Sequence, residues 1–349
     1  MKRMLQEAQR QIHGRWSSLA PPRASQNFIK FDKLYKVLYN ILMENYENKL
    51  RHILVATGWS QEILASKLDT TFVTLNSWVN GKSEPRDAAK EKINLIAAEV
   101  LGNDSVDEAR LRKVKAEAIT KHCSAKRLIS SHDTLEHFTT SLTYHSNATE
   151  GSTMTESDVH AVVYENQMLK NRTAVEQREA INHQTALYFL LDMLAEEGAS
   201  FKNTPDLIRT VHLRLMNGIV SDAGFWRNHA VHVSGSQAPR SNYVKIPELI
   251  SSWCNQANSE TTDKIELLAR THYQFEKIHP FSDGNGRTGR LLLFALALKL
   301  GLVPPILRKE RRVAYYKYLE LAHLHSITDP LEQYIAESIN ETAELLETL

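Results

Sequence analysis

A chain of 349 residues, 42% hydrophobic and 24% charged, has the composition of a globular protein of about two domains, which excludes wholesale disorder. With 42 Lys and Arg against 41 Asp and Glu, its net charge of +1 gives no global pull toward nucleic acid or anionic membranes. Its two cysteines, Cys123 and Cys254, lie far apart without metal-binding spacing, the usage of a reduced, cytoplasmic protein.

Residues 1–48 read as an N-terminal helical segment, polar at first, broken at Pro21-Pro22, then apolar through Leu34, Val37, Leu38, Ile41 and Leu42. The basic start lacks the apolar core of a signal peptide. Residues 49–100 carry two short helical patterns. One runs from Ser60 to Leu68, and the other from Phe72 to Val79, ending at Asn80-Gly81. Leu64, Ala65, Leu68, Leu75 and Trp78 can share a small core. This stretch resembles the helix-turn-helix of Cro/repressor-type domains, whose second helix enters the major groove. The resemblance makes Phe72, Val73, Asn76 and Ser77 DNA-contact candidates, with Gln61 near a phosphate. The presumed recognition helix has no Arg or Lys, and Asp69 and Glu84 dilute the local charge, so binding by a monomer should be weak.

Residues 101–130 are charged and helical in character, the pattern of a connecting helix with a solvated face. Residues 131–349 form the larger domain. Helical periodicity covers 134–149, 157–169, 175–197, 205–217, 263–277, 287–300, 313–323 and 331–347. Only 230–236 alternates like a strand, through Val231, His232 and Val233. The fold class expected is all-α with a short β-hairpin. The most apolar stretch, 291–307, is interrupted by Lys299, Gly301, Pro304 and Pro305 and is too short to span a bilayer, so no membrane partner is expected.

The chemistry concentrates in one helix-entry loop, His279-Pro280-Phe281-Ser282-Asp283-Gly284-Asn285-Gly286-Arg287-Thr288-Gly289-Arg290. Free N–H groups at a helix N-terminus bind anions. Gly284 and Gly286 let a phosphate approach. Arg287 and Arg290, three apart, share a helical face and can clamp phosphate oxygens. Asp283 is a hard oxygen ligand of the kind Mg²⁺ takes. His279 titrates near neutrality and can take a proton from a hydroxyl. These are the parts of a nucleotidyl or phosphoryl transferase.

The loop resembles the signature of the Fic family, His-Pro-Phe-x-[Asp/Glu]-Gly-Asn-Gly-Arg-x-x-Arg, at every fixed position. The resemblance implies a helical catalytic domain that transfers AMP from ATP to a Ser, Thr or Tyr hydroxyl of a protein. It implies His279 as general base, Asp283 as Mg²⁺ ligand, and Gly284, Asn285 and Gly286 as the anion hole. Arg287 and Arg290 would hold the ATP phosphates. Related Doc kinases carry Lys where this chain has Gly284, which favours AMP transfer over phosphate transfer. Ser146-Asn147-Ala148-Thr149-Glu150-Gly151 resembles the family's inhibitory motif in the class that places it N-terminal to the core. Glu150, with Ser146 and Gly151, is thus expected to face Arg287 and occupy the space of an ATP γ-phosphate. A carboxylate there could also position water to remove AMP from a modified protein. Residues 224–236 resemble the family's flap, so Val233, Ser234, Gly235 and Ser236 are expected to pair backbone-to-backbone with a target segment. Tyr315 is the residue the resemblance places at the adenine, and His323 stands where relatives often place Asn. The alternative reading is a DNA-binding transcriptional regulator with a nucleotide-sensing Fic domain. The protein substrate is not legible, and self-modification and a homodimer stay open.

Overall fold

The computed structural model describes residues 45–348 except 104, 105, 234, 235 and 237. Most of the N-terminal segment expected at 1–48 therefore lies outside the described residues.

Four helices open the described chain: α1 (Tyr46–Thr57), α2 (Gln61–Lys67), α3 (Phe72–Val79) and α4 (Asp87–Leu101). Short polar side chains start the first three. Asn45, Ser60 and Thr71 each accept a hydrogen bond from a first-turn N–H of the helix that follows. The four helices close over one small core in which Leu50, Ile53, Leu64, Leu75 and Ile93 are fully buried. The region expected to be one connecting helix is two, α5 (Glu108–Ala118) and α6 (Ala125–Ile129). The charged face of α5 is not simply solvated. It lies along the last helix of the chain, where Arg110 pairs with Glu337, and Lys115 bridges Asp263 and Glu332.

The larger core is built by α7 (His132–Thr149), α8 (Glu156–Val163), α9 (Ala174–Glu197), α10 (Pro205–Met216), α11 (Ile246–Ala257), α12 (Lys264–Ile278), α13 (Asn285–Lys299), α14 (Arg312–His325) and α15 (Asp329–Glu347). At its centre, α12 and α13 pack as a hairpin of helices. Helix α13 is buried on every side from Leu291 to Leu298, as its apolar run requires. Helix α9 packs on α7, α10 and α13, so it lies beside both the helix that ends at Glu150 and the helix carrying the arginines.

Two expectations change. Helix α8 stops at Val163, six residues early, before Asn166 adopts the left-handed conformation (φ 54°). Helix α11 was not foreseen, although Pro247 at its start and the spacing of Ile246, Ile250, Trp253 and Ala257 are readable helix signals. The β-hairpin is corrected too. Among the described residues there is no strand, only the isolated bridge between His122 and Leu302. Val231, His232 and Val233 alternate in sequence but belong to no ladder among the described residues, and Ser234 and Gly235 of the expected hairpin lie outside them. Among the described residues no helix is long and apolar enough to cross a membrane.

Candidate active site

The loop between α12 and α13 is held open by its own sequence. His279 ends α12 as its cap in the left-handed region (φ 51°, ψ 62°), with its N–H still donating to the Phe275 carbonyl. A non-glycine residue there costs roughly 1 kcal/mol, and Arg227 supplies the hold. This buried guanidinium donates to the carbonyls of His279 (2.7 Å), His229 (2.6 Å) and Ser241 (2.7 Å), and its backbone N–H donates to Pro280. Catalytic loop and both ends of the flap segment thereby hang on one side chain.

Inside the loop, the Phe281 ring stacks flat on His212 at 3.5 Å and tilts against Trp226. His212 Nδ1 accepts from the Gly224 N–H, so Nε2 carries the proton and donates to the Asp283 carbonyl at 2.9 Å. Burial lowers the His212 pKa to about 4 and keeps this strut neutral. Asn285 crosses the loop twice: Oδ1 accepts from Phe281 N–H, and Nδ2 donates to Phe281 C=O, both at 2.8 Å. Its side chain is thus a clasp of the loop, and only its backbone N–H faces the helix start. Asn285→Ala should lower stability by about 1–3 kcal/mol, because two buried backbone groups lose their partners. Urea unfolding measures this, and an unchanged midpoint would contradict the clasp.

Around the helix start the groups converge. Gly284 is the N-cap of α13 in the left-handed region (φ 74°), and a Cβ there would meet the Met216 sulfur at 2.6 Å. Asp283 Oδ1 accepts from the Gly284 N–H, while its carboxylate stays largely exposed. His279 Nδ1 lies 3.3 Å from the Glu276 carbonyl, which can only accept, so the free lone pair is on Nε2. Burial, and then the nearby Arg240 guanidinium, depress the His279 pKa to about 4. The ring should therefore stay neutral until the pH falls toward 4. Titration of the His279 ring by NMR checks this, and a midpoint between 6 and 7 would contradict it.

Both arginines are buried, and each is met by a carboxylate. Arg290 donates through Nε to Ser146 Oγ (3.0 Å), and through Nη2 to Ser146 C=O (2.8 Å) and Glu150 Oε1 (2.7 Å). Arg287 Nη1 binds Glu179 Oε1 at 2.5 Å. The expectation that Glu150 faces Arg287 is therefore corrected: its partner is Arg290. Ser146 already ties the end of α7 to Arg290, whereas Arg287, nearly one turn earlier on α13, meets α9. The Glu150 carboxylate also sits over the helix start, since a Cβ at Gly286 would run into its Oε1. Glu150 closes α7 as its C-cap, and Gly151 follows with φ 107° and open space around it.

Tyr315 is not at a ligand surface. It is 1% exposed, with its hydroxyl hydrogen-bonded to His272 Nε2 at 2.9 Å. The apolar side of α14 takes it into the core, and the half-exposed Tyr316 is the tyrosine that reaches the Thr149 carbonyl beside Glu150. His323 is buried and satisfied by the Tyr273 carbonyl and Arg240. Of the flap residues, Val233 and Ser236 form a turn (Ser236 N–H to Val233 C=O, 3.1 Å), and Ser234 and Gly235 lie outside the described residues. The DNA-contact candidates stand far from this centre in sequence. Asn76 donates to Gln61, Ser77 pairs with Ser83, and Phe72 and Val73 expose apolar side chains.

Sequence reading missed Glu179, Arg227 and Glu276. Glu276 is buried with Oε1 unpaired, and burial pushes its pKa up to about 7. The spacing to His279 could have flagged Glu276. For Glu179 no local pattern exists, because its partner is 108 residues away, and the bond of Arg227 to the His279 carbonyl spans 52 residues.

Residues 202–297 match the model of the Fic/DOC family. The chain carries a Fic domain. It is 31% identical over 261 residues to the protein adenylyltransferase Fic of Nematostella vectensis, covering 74% of this chain and 58% of that protein. With the protein adenylyltransferase Fic of Drosophila melanogaster it shares 28% over 250 residues, 69% and 49% of the two chains. The chain thus spans roughly half the length of these curated relatives. Among solved structures, Fic-1 from C. elegans matches with a TM-score of 0.58 at 23% identity, covering 100% of this chain and 93% of that one. A Fic domain containing signaling protein from Bacteroides thetaiotaomicron matches with a TM-score of 0.56 at 19% identity, over 68% and 96% of the chains. These likenesses establish the all-helical Fic fold.

Proposed function

We propose that this Fic protein is an auto-inhibited adenylyltransferase that moves AMP from ATP to a Ser, Thr or Tyr hydroxyl of a protein. One observation carries the reading. A neutral imidazole stands beside a helix N-terminus and two buried arginines, and the place an anion would take there is filled by the Glu150 carboxylate. The curated relatives bear the adenylyltransferase name.

In this mechanism the target hydroxyl gives its proton to His279 Nε2 as its oxygen bonds to the α-phosphorus. The bond from the α-phosphorus to the bridging oxygen breaks, and pyrophosphate leaves. The N–H groups at the start of α13 and the two guanidiniums stabilise the charge that develops on the phosphate oxygens. The exposed Asp283 carboxylate suits Mg²⁺, which typically takes one or two protein carboxylates and completes its shell with phosphates and water. When bound, the ion would neutralise the departing pyrophosphate. Two free, buried cysteines, Cys123 and Cys254, support a place in the cytoplasm.

The choice of transferred group is tested with two labels. The Glu150→Gly variant should take up label from α-³²P-ATP and none from γ-³²P-ATP. Label from the γ position would make it a kinase and sink the reading. The alternative of a DNA-binding regulator draws nothing from the relatives, whose names mention no DNA.

A further inference from the structure

Glu150 and Glu179 each hold one loop arginine, but they are mounted differently. Glu150 stands at the C-terminal end of α7, a third exposed, before a glycine with room to turn. Glu179 sits inside α9, directly before Ala180, where the buried face of that helix begins. Three residues on, Asn182 Nδ2 donates to both Leu215 C=O and Asn217 C=O, fixing α9 to the end of α10. A carboxylate on such a support has no hinge on which to leave.

We infer that Glu179 is a permanent positioning residue for the nucleotide, one that keeps Arg287 aimed at the anion site and its pairing with Asp283 at the long distance of 3.8 Å. The inference rests on the nucleotide-transfer reading and extends it. Arg287 Nη1 is taken by Glu179, Nη2 is 3.8 Å from Asp283 Oδ1, and Nε is buried without a partner. A buried guanidinium does not remain unpaired. Without Glu179, the nearest carboxylate is Asp283, the residue suited to Mg²⁺. Capture of Asp283 would spoil two functions together, because the metal ligand would be neutralised and the arginine fork turned away from the phosphates.

A charge argument has the opposite sign. Glu179 adds a negative charge near a polyanion, so its removal should tighten nucleotide binding. Pre-organisation should win here. Glu179 is already neutralised by Arg287 at contact distance, so its field at the phosphates is small, whereas the orientation of the fork is lost entirely.

The experiment compares three proteins by calorimetry with Mg-ATP: Glu150→Gly, Glu150→Gly with Glu179→Ala, and Glu150→Gly with Glu179→Gln. The alanine variant is expected to raise Kd about tenfold, the worth of one charge-assisted hydrogen bond. The glutamine variant, whose amide oxygen still accepts from Nη1, should stay within about threefold of the parent. In transfer assays the alanine variant should raise KM with Kd and lower kcat, and the glutamine variant should restore both, a rescue that general loosening of the fold would not give. An alanine variant that melts with its parent and binds Mg-ATP equally well or more tightly overturns the inference. A parent that binds Mg-ATP but transfers no AMP would remove the transferase reading, and the Kd comparison would still decide the role of Glu179.

Discussion

Glu150→Gly should raise incorporation of AMP about ten- to a hundredfold over the native chain, including onto the protein itself. On the proposed reading the native carboxylate competes with the nucleotide for the same donors. It takes Arg290 Nη2 at 2.7 Å and lies against Gly286 at the helix start. A hydrogen bond between charged groups is worth about 1.5–3 kcal/mol, and each 1.4 kcal/mol is about tenfold in an equilibrium, which sets the range. Glycine is the informative replacement, since it removes the carboxylate at a helix end where backbone freedom is tolerated. Autoradiography of a denaturing gel with α-³²P-ATP reads the result. Equal labelling of variant and native protein would show that the Arg290–Glu150 pair does not restrain the enzyme. The same variant should fail to release AMP from pre-modified protein, if Glu150 also positions the water for that hydrolysis; release at the native rate would assign it elsewhere.

His279→Ala, placed in the Glu150→Gly background, should cut transfer by about 10²- to 10⁴-fold, the usual contribution of a positioned base. The ring is poised for the task by the Glu276 carbonyl, which holds the proton on Nδ1, and by burial, which keeps Nε2 unprotonated at neutral pH. A ring with so low a pKa is a weak base. It gains by being fully in the accepting form and by being fixed in place, not by proton affinity. Nucleotide binding should persist, because Arg227 ties down the loop through the residue's carbonyl and not through its ring. Transfer within threefold of the background would mean that another group takes the proton.

The loop was legible because its residues act on one another locally. Asn285 reaches Phe281, Thr288 reaches Gly284, and the αL turns fall at Gly284 and at the end of α12. A motif of that kind carries its geometry in its spacing. The helices were legible from their period, with ends set by caps such as Thr155 and Thr173. What failed was long-range. Which arginine meets Glu150 depends on the rotation of α7 against α13, and no spacing reports it. Tyr315 and Tyr316 are adjacent, so a small rotation of α14 decides which is buried. Helix α7 hid its environment for another reason. Thr139, Thr140, Ser141, Thr143 and Ser146 are polar by type, yet all are buried, where Thr143 meets His183 and Ser146 meets Arg290.

Arg227 spends its hydrogen bonds on main-chain carbonyls alone: those of Ile278, His279, His229 and Ser241. Every residue type offers the same carbonyl. The anchor therefore reads the path of the chain and is blind to its side chains. A substitution at His229 or Ser241 therefore leaves the anchor its acceptor. One guanidinium fixes the path of two separate stretches of chain and specifies no side chain in either.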